Sequence, residues 1–262
     1  MNNTKKKSPI SWVPTAYFAM GLPFVVLNMV TVLMFKGLEV DDKLITFWTS
    51  LILLPWTLKP LWSPFLELFR TKKFFVIVTQ LITGVTFGLV AFALNLSHFF
   101  SISIALLAIV AFSGATHDIA CDGVYMSELS NEDQAKFIGW QGAFYNIAKI
   151  LATGGLVYLA GYFIELNADA GLLSANKRAW MIILLILSVT MILLGIYHLF
   201  ALPSSQSASS QKTLRNNKEV MKELGQVLMD FFRKTHITYY ICFIILYRFA
   251  EGFVMKIVPL FL

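Results

Sequence analysis

The sequence predicts an all-α, polytopic membrane protein, and three observations carry that expectation. Of its 262 residues, 57% are hydrophobic and only 14% are charged, against about 25% charged in an ordinary soluble chain. Seven apolar stretches, at 11–34, 44–66, 74–94, 100–122, 138–163, 179–201 and 237–260, each approach or exceed the roughly 20 residues a helix needs to cross a bilayer. Strand-type alternation is absent, and every run is far too long for the strand of a β-barrel.

Taken in order, the first stretch follows the basic segment "NTKKKS". It reads as a span and not a cleaved leader, because its apolar part is too long and no A-x-A-like site follows. About ten residues in, "MGLPF" carries Gly21 and Pro23. A Gly/Pro interruption at that depth frees backbone groups and marks a candidate hinge. The second stretch holds Lys59 between Pro55 and Pro60, and the fourth ends in His117, Asp118 and Asp122. The fifth holds Lys149 near mid-membrane, and the seventh holds Arg248 and Glu251 at similar depth.

Between the sixth and seventh stretches the pattern breaks. "PSSQSASSQ", 203–211, is a flexible polar linker. The following "LRNNKEVMKELGQVLMDFFRKTH" repeats apolar residues at helical spacing, as expected of an amphipathic helix on the membrane surface. The chain therefore divides into a six-helix unit at 1–202, a linker with a surface helix at 203–235, and a seventh span at 236–262. That order describes half of a twelve-helix carrier followed by the first helix of a truncated second half.

Orientation follows from the Lys/Arg bias of the connections. Lys5, Lys6, Lys7, Arg70, Lys72, Lys73, Lys136 and the basic residues of 212–234 fall on one side; Lys36, Lys43, Lys177 and Arg178 fall on the other. The N-terminus is expected in the cytoplasm. The net charge of +6 is mostly this topology signal, so no nucleic-acid partner is expected. Cys121 and Cys242 lie within spans and are expected to pack as small apolar residues.

An ionisable side chain inside a span is a functional-site hypothesis by default. Gly114, Asp118 and Asp122 step by four along one face of the fourth span. Gln141, Tyr145, Lys149 and Thr153 do the same in the fifth, with Asn146 beside them. Tyr247, Arg248 and Glu251 cluster in the seventh. Each charge costs about 3 kcal/mol at the centre of a span, so six unrelieved charges would cost roughly 18 kcal/mol. Pairing among Lys59, Lys149 and Arg248 on one side and Asp118, Asp122 and Glu251 on the other, with help from water, is expected to relieve most of it. Two carboxylates one turn apart also repel, which favours a proton on one of them. Protonating one acid leaves the cluster net positive and suited to an anionic solute.

Enzyme chemistry finds no matching motif. After Asp122–Gly123 comes "VYMSELS", without the Ala-Arg pair and further aspartates of a CDP-alcohol phosphotransferase. No His-Glu zinc motif or Gly-x-Ser-x-Gly elbow is present. His117 lacks a second ligand at metal-binding spacing, so neither metal nor cofactor is expected.

Five segments, "GLPF", "LPWTLKPLWSPFLELF", "SGATHDIACDGVYMSEL", "IGWQGAFYNIAK" and "LYRFAEGF", together resemble the AmpG-type muropeptide permeases of the major facilitator superfamily. The resemblance runs in order along nearly the whole chain. It implies a six-helix half-bundle plus a seventh transmembrane helix in the bacterial inner membrane. It also implies proton-linked import of anhydro-muropeptides, anionic sugar-peptides released by cell-wall turnover. Asp118, Asp122 and Glu251 would then couple protons, and Lys59, Gln141, Tyr145, Asn146, Lys149 and Arg248 would line the solute cavity. The superfamily's loop after the second helix normally reads G-x-x-x-D-R-x-G-R-R. Here Ser63, Glu67, Arg70, Lys72 and Lys73 stand in its place, an acid and a basic cluster without the glycines, expected to act as a cytoplasmic latch. Related acetyl-CoA carriers share the features of the second and fourth helices, so an acetyl-CoA or other anionic-solute carrier is the alternative. A degenerate half-carrier that does not transport alone is another.

Overall fold

A computed structural model of the chain describes residues 7–69, 71–203, 225–226, 229–230 and 232–257. The described residues form helices and turns, with no strand among them. Six helices are long and apolar enough to cross a membrane: α1 Pro9–Gly37, α2 from Asp42, α3 Lys72–Ala93, α4 Phe99–Glu128, α5 Asn131–Leu166 and α6 Leu172–Ala201. The protein is a multi-pass membrane protein. A further helix, α7 Ile237–Ile257, covers the seventh apolar stretch. Most of 212–234, the expected surface helix, lies outside the described residues.

α1 has two proline-led starts, a short 3₁₀ turn at Pro9–Ser11 and an α-helix from Val13. Proline suits a first turn because its missing N–H would be unpaired there anyway. Pro23 sits inside the helix, where it cannot donate to the preceding turn. A π turn follows at Val26–Val30 before α-helix resumes at Thr31–Gly37. α5 carries a second π turn at Leu151–Leu156, and the two π turns pack against each other.

α2 is capped by Asp41, whose Oδ1 accepts from the backbone N–H of Lys43 at 2.9 Å and of Leu44 at 3.3 Å. It runs Asp42–Ile52, turns at Leu53 and continues as Leu54–Phe69. Pro55 explains the break: it has no N–H to continue the ladder, but it fits the first turn of the new helix. Trp56 and Lys59, three apart, then share one face of the second piece.

α4, α5 and α6 begin or end well beyond the apolar stretches from which they were expected. α4 continues to Glu128, and α5 starts at Asn131, where Ser130 Oγ accepts from Asp133 N at 3.2 Å. Glu132 and Asp133 in that first turn complement the helix dipole. Ser130 caps the added turn of α5, and hydropathy alone cannot see such turns.

α3 packs mainly against α4 and α6, and α1 mainly against α5. α1 is the most enclosed span, with 78% of its apolar window buried, whereas α2 and α5 bury 17% each. Glycines permit the closest approaches. A Cβ on Gly21 would lie 2.8 Å from the Tyr145 carbonyl of α5, and one on Gly84 would lie 2.9 Å from the Ser188 carbonyl of α6.

Two apolar cores result. One joins Leu22–Phe35 of α1 to Phe87, Leu107 and Ile183; the other joins Trp12–Met20 to Ile77, Cys121, Val124 and Phe137. Between them, α3, α4 and α6 contribute buried polar side chains at Thr79, Gln80, Thr83, Ser113, Thr116, His117, Asp118 and His198. Together these side chains make a buried polar layer.

Candidate functional site

The centre of this layer is an ion pair between α2 and α4. Asp118 is 8% exposed, and its Oδ2 accepts from Lys59 Nζ at 2.8 Å and from Trp56 Nε1 at 2.8 Å. Gly114, one turn earlier on α4, makes the approach possible. A Cβ there would lie 2.9 Å from Trp56 Cζ2, so any side chain would push the indole away from the carboxylate. The second oxygen, Asp118 Oδ1, is buried and has no hydrogen-bond partner among the described residues. One carboxylate oxygen is saturated and the other is bare.

Asp122 sits one turn further on and is exposed. Its Oδ1 accepts from Tyr17 Oη of α1 at 2.8 Å, and Gln141 Nε2 of α5 donates to the same Tyr17 oxygen at 2.8 Å. Three helices are tied by this chain. Lys59 pairs with Asp118. Asp118 and Asp122 do share the expected face of α4, but the structure gives them different partners.

Lys149 stands apart from this pair. Its Nζ lies 5.9 Å from the centroid of the Tyr145 ring, a cation–π arrangement, and it makes no ion pair with an acid among the described residues. Its aromatic neighbour is the tyrosine at i−4 on the same helix. Asn146 is exposed and donates back to the Gly142 carbonyl at 2.8 Å, a local bond within α5. Gly21 lies where α1 meets α5, Pro23 lies beside Gly114 of α4, and both come just before the π turn.

Of the expected latch, Lys73 Nζ donates to the Leu202 carbonyl at 2.8 Å at the end of α6, as Lys7 does to the Phe200 carbonyl. Cations suit a helix C-terminus, where carbonyls lack partners. The stem of Lys72 lies against Gly123 of α4. Arg70 and the side chains of Glu67, Arg248 and Glu251 lie outside the described residues.

Tyr17, Trp56, Gln80 and His198 belong to the polar layer and were not singled out from the sequence. Gln80 Nε2 lies 3.0 Å from His117 Nε2, and Gln80 Oε1 lies 2.9 Å from His198 Nδ1. Trp56 had one available signal, its place one turn before Lys59. Gln80 had another, as the only amide in an otherwise apolar-and-threonine span. Cys121 is buried in the second core as expected, and Cys242 is exposed. No family model matches the chain, and no curated protein matches it.

Proposed function

We propose that the chain is the N-terminal half, with the first helix of the second half, of a proton-coupled solute carrier of the major facilitator type. In this reading it lies in a bacterial inner membrane with its N-terminus in the cytoplasm, and it imports anhydro-muropeptides. The observation that supports the reading best is the Lys59–Asp118 pair with its bare Oδ1. A proton can be taken at Oδ1 without displacing either donor from Oδ2. Taking it removes the negative charge that holds Lys59, and Lys59 is then available to a carboxylate of the solute. Loading a proton and recruiting an anion become one event. Trp56 keeps Asp118 oriented through both states. Tyr17 and Gln141 hold Asp122 as the second carboxylate, which remains exposed to solvent and solute. The resemblance of the quoted segments to muropeptide permeases supplies the substrate class.

The test is uptake of labelled anhydro-muropeptide, driven by an imposed proton gradient, in membrane vesicles from cells expressing the natural gene. Asp118→Asn and Lys59→Ala are expected to abolish gradient-driven uptake while the protein still inserts in the membrane. Normal uptake in both variants would sink the coupling role. Gradient-driven uptake of labelled acetyl-CoA, with none of labelled anhydro-muropeptide, would move the substrate to the alternative class.

A further inference from the structure

Coupling at Lys59 and Asp118 leaves one charge of each sign without a task. Asp122 and Lys149 stand where α1, α4 and α5 meet, and neither makes an ion pair among the described residues. α1 and α5 run in register there. Gln141 donates to Tyr17, and one turn further along each helix the Tyr145 ring lies against Gly21, 3.4 Å from where a Cβ would stand. Asp122 belongs to the first of these levels, because Tyr17 donates to its Oδ1 at 2.8 Å. Lys149 comes one turn beyond Tyr145, and its Nζ lies 5.9 Å from the centre of that ring. Asp122 is exposed and Gln141, Tyr145 and Lys149 are half-buried, so the strip they form is open along its length.

The distance between the two charges follows from the helix. Lys149 is eight residues beyond Gln141 on regular α-helix, a rise of about 12 Å at 1.5 Å per residue. Its side chain leans back toward Tyr145, as long side chains on helices do, which brings the charges to roughly 10 Å apart. An extended peptide advances about 3.3–3.6 Å per residue, so three residues cover that separation. We propose that Asp122 and Lys149 are the two poles of one binding strip, which takes a solute carrying an ammonium group and a carboxylate about 10 Å apart, as the ends of a tripeptide are.

Each pole has one side fixed and one side open. The Tyr17 hydroxyl occupies Asp122 Oδ1, and Gln141 holds that hydroxyl in turn. Asp122 Oδ2 is left to accept from the ammonium of the solute. The face of the Tyr145 ring steadies the Lys149 ammonium, whose N–H groups donate to the carboxylate of the solute. Tyr17 and Gln141 are positioning residues: they aim Asp122 without touching the solute. The assignment rests on the carrier reading, in which the solute is a sugar-peptide, and adds to it a fixed separation of charge. A further carboxylate on the same solute remains for Lys59.

The experiment is equilibrium binding of trialanine, N-acetyl-trialanine and trialanine amide to the purified natural protein in detergent at neutral pH. Free trialanine is expected to bind, and each blocked peptide is expected to bind about tenfold more weakly, the loss of one hydrogen bond to a charged group. Removing a pole should make the matching block harmless. In Asp122→Asn the N-acetyl peptide is expected to bind as well as the free one, and in Lys149→Gln the amide is expected to do so. Equal binding of free and blocked peptides by the wild type, or no binding of trialanine, would overturn the proposal. So would discrimination that survives loss of the matching pole. The wild-type comparison decides even where a variant does not fold. Gradient-driven uptake of anhydro-muropeptide, measured on the same protein in vesicles, separates the two readings. The expected binding pattern without uptake keeps the strip and sinks the carrier, whereas uptake without discrimination sinks only the strip.

Discussion

Asp118 presents two oxygens in unequal surroundings, and most of the residue-level chemistry follows from that inequality. Oδ2 holds Lys59 and Trp56, and Oδ1 has no partner among the described residues. Removing one partner of a buried pair leaves an uncompensated charge, which costs more than the pair itself contributes. Lys59→Met is therefore expected to lower stability by about 3 kcal/mol, the lower end for a buried pair, because the Lys59 side chain keeps 27% exposure. Adding Asp118→Asn to it should recover most of that loss. Thermal unfolding in detergent checks both, and simple additivity would contradict the pairing. Trp56→Phe removes only the indole donor and is expected to cost about 1–3 kcal/mol, the range for a hydrogen bond to a charged or buried group. The ionisable members of this site were legible in the sequence, because a Lys or an Asp in an apolar run stands out. Their neutral partners were not. Whether Trp56, Tyr17 or Gln80 meets a charge depends on how each helix is rotated, and that is settled by packing between helices.

Among the elements, α1, α2 and α4 position the site through backbone irregularities and close approaches. The break at Leu53, imposed by Pro55, sets the second piece of α2 so that Trp56 and Lys59 reach α4. Gly114 leaves the room into which the indole fits. Gly114→Ala is expected to cost about 1–3 kcal/mol, as overpacking does, and the cost should shrink in a Trp56→Phe background. A double-mutant cycle read by thermal unfolding measures that coupling, and an unchanged cost would show that the indole is not what Gly114 accommodates. Tyr17→Phe breaks the link among α1, α4 and α5 in one step. A loss of about 1–3 kcal/mol is expected, with Gln141→Leu adding little once Tyr17 is gone. The existence and order of the first six spans were legible from hydropathy alone. Their true ends were not, because the extra turns of α4, α5 and α6 are polar. Pro23 signalled an irregularity in α1, but the π turns at Val26–Val30 and Leu151–Leu156 have no comparable mark in sequence, since they arise where two helices must fit each other.

At the scale of the molecule, two apolar cores accompany a layer of buried polar groups drawn from α3, α4 and α6. Such a layer costs stability unless its groups satisfy one another, and most do so across helices and not within them. Composition alone announced the membrane; the layer needed the packing. The proposed coupling makes one claim that can be read directly, namely that solute binding and proton binding at Asp118 are the same event. Proton uptake on adding anhydro-muropeptide to the purified natural protein, followed with an indicator in weakly buffered detergent solution, tests it. The wild type is expected to take up protons as solute binds, and Asp118→Asn is expected to take up none. Equal uptake by both proteins, or solute binding to the wild type with no uptake at all, would contradict the account.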